Sequence, residues 1–264
     1  MKKVSIEQFL TWAFTQELCK VGSGSGGSFV NGSSWEMVSD IFALGTIIDR
    51  SPNFYGVIPD FIATGEPHPD AQAVGNAVRG LAARGGFEIA DGWKPFPEWE
   101  DARGLIAAEV ERFMQTIRVK RDVLQAKHIV NLVISRAILG RGPDWHSDRP
   151  EENIVTKNGS PAWFIEARAR DSFRRSYTYE TDGFDHKRRR PKAGAYQKFE
   201  LSEPLQGAIL SRLEWQIWQD ALDVLHRDLR GALSAHELHP FSPIRAPWEM
   251  IRFKSERLQA VDNA

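Results

Sequence analysis

Residues 209–229 read ILSRLEWQIWQDALDVLHRDL, a stretch whose apolar side chains recur at helical spacing. Steps of three and four residues connect the members of one apolar seam: Trp215, Trp218, Leu222, Leu225 and Leu229. Such spacing is typical of a helix that packs along its whole length. We therefore predict a long helix over residues 203–235, with Ser202 as its N-cap and Pro204 in its first turn.

Helical patterns also fill the N-terminal half of the chain. Ser5 and Gln8 have the spacing of a capping box, which predicts an N-terminal helix over residues 6–20. A Gly/Ser-rich stretch at 21–34 then indicates a flexible linker that frees this helix to dock elsewhere. Residues 51–68 contain three prolines and are predicted to form a loop. Further helices are predicted over residues 35–49, 69–84, 98–125 and 127–139.

The last two of these helices are separated by a predicted break near Gln125, because an unbroken helix of about 40 residues would be long for a globular protein. Between His128 and Leu139 apolar residues surround the helix axis, which predicts a central core helix.

Strand signals begin after Gly140. Asn158-Gly159 is typical of a tight hairpin turn, which would join strands at 153–157 and 162–169. Two further strands are predicted at 174–180 and 196–201.

These elements predict an α+β protein that is predominantly helical, in which a helical bundle from both chain ends carries a small antiparallel sheet at about 150–201. The expected organisation is an N-terminal helix, a linker and one globular domain over 35–264. That domain would comprise helices at 35–140, a β segment with a basic loop at 150–201, the long helix and a Pro-rich tail at 237–264.

Composition limits the class of protein. Hydrophobic residues make up 42% of the 264 residues, which is enough for a buried core. The single cysteine, Cys19, excludes an internal disulfide, and no apolar run reaches the roughly 18 residues of a membrane span. The N-terminus lacks a signal-peptide pattern, so we expect a cytoplasmic protein. No phosphate loop, dinucleotide fingerprint or hydrolase elbow is found, and no catalytic residue or cofactor is assigned.

Positive charge is concentrated in one segment. Residues 168–198 contain ten Lys and Arg against four acids, a balance of +6, although the whole chain carries −1. Aromatic residues accompany these cations, among them Tyr177 and Tyr179. Cations neutralise phosphates and aromatic rings stack on bases, so the segment predicts a non-enzymatic nucleic-acid-binding or regulatory protein. The candidate contact residues are Arg168, Arg170, Arg174, Arg175, Lys187, Arg188, Arg189, Arg190 and Lys192.

Two other functions remain open. The first is an adaptor or assembly component that docks a partner, or a second copy, through the Trp215–Leu229 seam. The second is a metal-dependent nuclease that uses Asp144 and Glu166. Weaker metal-ligand patterns occur at Asp144, His146 and Asp148, and at His236 and His239; a surface turn and a helix-end interaction are favoured for these.

Several stretches resemble an uncharacterised family of bacterial proteins associated with prophage-like and other mobile regions. They are residues 42–71 (FALGTIIDRSPNFYGVIPDFIATGEPHPDA), 128–145 (HIVNLVISRAILGRGPDW), 161–164 (PAWF), 192–201 (KAGAYQKFEL) and 209–222 (ILSRLEWQIWQDAL). The resemblance implies a full-length folded bacterial protein and favours nucleic-acid handling slightly. It transfers no activity, ligand or catalytic residue.

Overall fold

The computed structural model describes residues 1–21, 55–57, 60–120 and 124–250. The chain forms two compact units, each assembled from three separate stretches. Unit 1 consists of Met1–Trp93, Arg121–Asp144 and Leu213–Pro247, and unit 2 consists of Lys94–Lys120, Trp145–Arg212 and Trp248–Ala264. The predicted helix at 35–49 and nearly all of the predicted linker lie outside the described residues.

Five α-helices lie wholly within the described residues, and residues 247–250 are helical as well. Their bounds are α1 Ile6–Trp12, α2 Pro69–Gly80, α3 Leu105–Lys120, α4 Ala126–Leu139 and α5 Gln206–Leu229. The Ser5 hydroxyl accepts a hydrogen bond of 3.2 Å from the backbone N–H of Gln8, so the predicted N-cap is confirmed. A π-helical turn over Ala13–Glu17 extends α1. The predicted break near Gln125 is also confirmed, because Gln125 is the extended N-cap of α4.

Helix α5 is shorter than predicted at both ends. Ser202 does not cap it: its hydroxyl accepts a hydrogen bond of 3.0 Å from the backbone N–H of Glu151, at the end of a strand pair. The helix therefore begins at Gln206. It ends at Leu229, before Gly231 adopts a left-handed φ of 80°.

The core of unit 1 is built from α1, α2, α4 and the part of α5 that follows Arg212. Its fully buried side chains include Ile6, Phe9, Leu10, Val74, Val78, Leu222, Leu225 and Leu229. Trp218 is buried as well, whereas Trp215 at the start of the apolar seam is half-buried. The prediction that α4 is buried all round is wrong, because Ile138 and Leu139 at its C-terminus are exposed.

Two parallel strand pairs complete unit 1. Strand β1 (Lys2–Val4) pairs with β12 (His236–Leu238), and β2 (Lys20–Val21) pairs with β3 (Asp60–Thr64). Strand β3 corrects the prediction of a loop over 51–68. The five-residue strand ends before Gly65, whose positive φ of 121° lies outside the range of a strand.

Unit 2 contains α3 and four antiparallel strand pairs. They are β4 (Glu152–Ile154) with β11 (Phe199–Leu201), β5 (Thr156–Lys157) with β6 (Ser160–Pro161), β7 (Phe164–Arg170) with β8 (Ser176–Asp182), and β9 (Phe184–Asp185) with β10 (Arg190–Pro191). The predicted single sheet is therefore replaced by separate two-stranded ladders. The α+β class is confirmed. The predicted helical bundle is not confirmed, because the helices are divided between the two units.

The predicted Asn-Gly turn forms, but its hairpin is short. Asn158 and Gly159 both have positive φ angles, as such a turn requires. The pairing of β5 with β6 covers two residues on each strand, and one further backbone hydrogen bond follows it, from the N–H of Ala162 to the oxygen of Val155 at 2.8 Å. The long strand that follows pairs with β8 instead of crossing the Asn-Gly turn.

A buried arginine of α5, Arg212, connects residues 95–98 and Trp248 within unit 2. Arg212 is 2% exposed, and its guanidinium donates to the backbone oxygen of Pro95 and to Oε1 of Glu98. It also lies over the rings of Phe96 and Trp248, at 4.6 and 4.8 Å from their centroids.

Within the described part of the chain, no helix combines the length and apolar content that a membrane crossing requires.

Candidate nucleic-acid interface

The β7–β8 hairpin, called the arginine ribbon below, is the principal surface feature of unit 2. It pairs seven residues on each strand, from Phe164 opposite Asp182 to Arg170 opposite Ser176. Its tip is closed by Asp171, whose Oδ1 accepts backbone N–H groups of Phe173 at 2.9 Å and Arg175 at 2.7 Å. The tip is thus held in one conformation by its own carboxylate.

The two faces of the arginine ribbon differ in chemistry. Residues directly opposite each other across a ladder share a face, and successive residues alternate between faces. One face therefore carries Tyr177 and Tyr179 opposite Ala169 and Ala167. The other face carries Arg168 and Arg170 opposite Thr178 and Ser176.

Four arginines dominate the outer part of the ribbon. Arg168, Arg170, Arg174 and Arg175 are all exposed, and Asp171 is the one acid among residues 167–179. Within the described residues, no hydrogen bond or ion pair engages the four guanidinium groups. They are therefore free to meet anions from solution.

The remaining candidate cations lie on a second hairpin, β9–β10, whose basic turn spans residues 187–192. Asp185 Oδ1 accepts the backbone N–H groups of Lys187 at 3.0 Å and Arg188 at 3.1 Å, and Arg189 takes the left-handed φ of 52° that closes the turn. The Arg188 guanidinium reaches Asp185 Oδ2 only at 3.9 Å. An exposed pair of this kind contributes little free energy, so Arg188 also remains available.

Lys192 and Gly183 hold this second hairpin against the base of the ribbon. The Lys192 ammonium donates to the backbone oxygen of Asp182 at 2.7 Å, and its backbone N–H donates to the oxygen of Gly183 at 2.8 Å. Lys192 is thus partly committed to structure, unlike the other eight candidates. The fold brings all nine into two adjoining hairpins of unit 2.

One acidic group at the base of the ribbon is paired within the protein. Glu180 lies opposite Glu166, and its carboxylate accepts from the Lys198 ammonium and the Tyr196 hydroxyl. These two hydrogen bonds lower the pKa of Glu180, and the bond to the carboxylate raises the pKa of Tyr196 to about 12. The negative charge of Glu180 is therefore matched within the protein.

Asp182 is the second acid at the base. Its Oδ1 accepts the backbone N–H of Phe184 at 2.8 Å, and its Oδ2 lies 3.0 Å from Nε2 of His186. The backbone hydrogen bond, followed by the one to His186, lowers the pKa of Asp182. Asp182 is therefore ionised at neutral pH, and its hydrogen bonds connect the end of β8 to the start of the β9–β10 hairpin.

A cleft of about 940 Å³ opens beside this base. Its aromatic lining consists of Trp163, Phe164, Phe184 and His186. Trp163 and His186 were not among the residues predicted from the sequence, since their side chains reach the cleft only because two hairpins adjoin. Trp163 follows the Asn-Gly turn in sequence, which was the one local signal for it.

A separate cluster of His68, Asp70 and His236 lies in unit 1. Among the described residues, it is the group of three or more potential ligands that lies close enough for one metal ion. Both oxygens of Asp70 are already used: Oδ1 accepts from the N–H and hydroxyl of Ser234, and Oδ2 accepts from the N–H groups of Ala235 and His236 and from Nδ1 of His236. A carboxylate that accepts five hydrogen bonds has no lone pair left for a metal. We therefore assign the cluster a structural role: it connects α2 to the segment after α5.

Of the metal-ligand patterns predicted from the sequence, the structure brings one residue, His236, into a cluster of potential ligands. His236 belongs to the cluster, but its companions are His68 and Asp70, not His239. Within the described residues, no such group contains Asp144, His146, Asp148 or Glu166. Asp70 itself was missed because an acid in the first turn of a helix is an ordinary partner of the helix dipole.

Comparison of the chain with protein-family models, with curated proteins and with solved structures finds no match.

Proposed function

We propose that this protein binds nucleic acid through the arginine ribbon and the basic turn. One observation supports this most directly: an exposed two-stranded ribbon presents four arginines that no acid of the described chain pairs with. Guanidinium groups match phosphate geometry with two parallel hydrogen bonds, and released counterions make such binding favourable. A two-stranded β-ribbon is also narrow enough to follow a nucleic-acid groove or strand.

The placement of acids supports the same proposal. Along the outer ribbon Asp171 is committed to the tip turn, and at the base Glu180 is paired with Lys198. A phosphate backbone approaching the outer ribbon, residues 167–179, therefore meets four arginines and the single acid Asp171, whereas the exposed Glu166 lies at the base. The basic turn adds Lys187, Arg189 and Arg190, which are exposed in the same unit.

The test is fluorescence anisotropy of labelled DNA and RNA oligonucleotides at several salt concentrations. Three triple variants are compared: R168Q/R170Q/R175Q on the ribbon, R188Q/R189Q/R190Q on the turn, and K94Q/K127Q/R230Q as a control with the same charge change elsewhere. Glutamine suits the turn because Arg189 has a positive φ, and glutamine has an unbranched Cβ as arginine does, so the backbone strain is similar. All three control positions are exposed.

Wild-type affinity is expected to fall steeply with salt, and each interface variant is expected to bind at least roughly 10-fold more weakly. Each lost phosphate contact should also reduce the slope of log affinity against log salt by about 0.7 to 0.9. The control triple should bind nearly as wild type does. Equal weakening by all three variants, or no binding by the wild type at low salt, would contradict the proposal.

A further inference from the structure

The arginine ribbon exposes aromatic rings that its own fold does not cover. Phe173 at the tip is 79% exposed, and Tyr177 and Tyr179 on one face are 50% and 45% exposed. Clustered exposed apolar surface of this kind marks an interaction site. The ring face of each tyrosine lies opposite an alanine, which is too small to cover it.

We infer, on the basis of the proposed function, that the ribbon takes single-stranded nucleic acid and stacks its bases on Tyr177, Tyr179 and Phe173. In a duplex the faces of the bases are hidden by stacking, and side chains reach only their edges. An unpaired strand exposes each base face to an aromatic ring, and every base has such a face. Rings exposed beside arginines therefore select the unpaired form.

The spacing of the two tyrosines fits an extended strand. Their ring centroids are 6.0 Å apart and their planes are inclined by 44°, so the rings do not stack on each other. Neighbouring bases within a duplex strand are about 3.4 Å apart along the axis, too close for both to stack on these two rings. A strand drawn out to roughly twice that spacing places one base at each ring.

Charge provides the second half of the fit. Paired strands lie only about 5 Å apart, so the ribbon is narrow. Long side chains on the face opposite the tyrosines can therefore extend to the edge of the ribbon. Arg168 and Arg170 are placed on that opposite face, while Arg174 and Arg175 follow Phe173 at the tip. A backbone lying along the edge thus meets guanidinium groups while its bases turn toward the tyrosines.

The experiment is anisotropy with a labelled 16-nucleotide mixed-sequence strand, as DNA and as RNA, and with the duplex formed by annealing its complement. Wild type, Y177A/Y179A and the conservative Y177F/Y179F are compared, with circular dichroism of each variant as a check on folding. Y177F/Y179F keeps both ring faces and removes only the hydroxyl groups.

The wild type is expected to bind the single strand at least about 10-fold more tightly than the duplex. Y177A/Y179A should lose at least about 10-fold of the single-strand affinity, keep its duplex affinity and keep the salt slope, since all arginines remain. Y177F/Y179F should bind as the wild type does. If it instead matches Y177A/Y179A, stacking is not the interaction.

Other occupants of the tyrosine face give distinct results. Equal or tighter duplex binding, with loss only in the arginine variants, would leave the proposed function intact and overturn the single-strand inference. A dimer by light scattering that Y177A/Y179A converts to a monomer would assign the face to a second copy of the chain. Competition by polyglutamate as strong as by an oligonucleotide of equal charge would make the ribbon a general anion site and overturn the inference.

Discussion

The carboxylate of Asp70 accepts a hydrogen bond of 2.8 Å from Nδ1 of His236, although 166 residues separate them in the chain. Asp70 is 2% exposed and sits in the first turn of α2, while His236 begins strand β12. Together with the N–H groups of Ser234 and Ala235, this contact holds the segment after α5 against α2. A charged group buried in this way stabilises unit 1 only while all its donors are in place.

Replacing Asp70 by Asn is expected to destabilise unit 1. The substitution puts an NH2 group where N–H donors already point, so at least two donors lose their acceptor, at a cost of roughly 2–4 kcal/mol. The matched control is Asp228→Asn, which breaks the exposed pair with Arg84 and should cost less than about 1 kcal/mol. Urea unfolding followed by circular dichroism measures the unfolding free energy of both variants. Equal losses would show that the hydrogen bonds to Asp70 do not stabilise unit 1 more than an exposed ion pair does.

The acid stability of the protein should depend on the same residue. Burial alone would raise the pKa of Asp70, but the hydrogen bonds from Ser234, His236 and Ala235 outweigh it and lower this pKa far below its ordinary value of 3.8. The unfolded chain therefore binds a proton at Asp70 before the folded chain does. The stabilisation is fully present above the unfolded pKa and is lost as pH falls below it toward the folded pKa.

This linkage is measured by urea unfolding at several pH values from 5 to 3 in wild type and Asp70→Asn. The difference in unfolding free energy between the two proteins should shrink by about 1 kcal/mol across this range. A difference that stays constant with pH would mean that the pKa of Asp70 is the same in the folded and unfolded chains.

Arg212 should be the most sensitive cation of unit 2. Arg212→Met keeps the side-chain bulk but leaves the Glu98 carboxylate without its guanidinium, which is expected to cost about 3–5 kcal/mol. The control is Arg84→Met, because Arg84 also binds a carboxylate through two contacts, at 2.8 and 2.7 Å, but on the surface. Chemical denaturation should separate the two variants clearly; similar small losses would contradict a structural role for the buried pair.

Gly183 should set the position of the arginine ribbon. A Cβ atom at this position would lie 2.8 Å from the backbone carbon and oxygen of Phe164 and 2.9 Å from the Cβ of Ala195, closer than real contacts allow. Gly183→Ala is therefore expected to destabilise unit 2 by about 1–3 kcal/mol and to weaken oligonucleotide binding by displacing the ribbon.

Gly207→Ala is the matched control for this change. Gly207 lies in the first turn of α5 in the same unit, and its added Cβ would meet no atom within 4 Å. It should be neutral or stabilise by roughly 0.4–1 kcal/mol. If Gly183→Ala unfolds and binds as Gly207→Ala does, the close approach at Gly183 does not position the ribbon.

Local patterns predicted many single elements well. The Ser5 cap, the break at Gln125, the Asn-Gly turn and the body of α5 all depend on residues within one or two turns of each other. The α+β class follows from such elements. The concentration of cations in residues 168–198 was likewise visible as a composition shift, and the structure places these cations on exposed hairpins.

Pairings between distant residues could not be predicted in this way. The strand after the Asn-Gly turn was expected to pair back across it, yet β7 pairs with β8, because Asp171 closes a second turn between them. Which face of that ribbon holds the tyrosines follows from its register, and register is decided by the partner strand.

By itself, the sequence determined the approximate places of several helices and turns and the segment where positive charge gathers, since backbone propensity, capping and charge are properties of neighbouring residues. Only the tertiary structure decided that Asp70 joins His236, that Arg212 is buried beside Glu98, and that arginines and tyrosines occupy opposite faces of one ribbon. The physical reason is that a buried polar group or a strand edge needs a partner, and the chain can supply that partner from any distance.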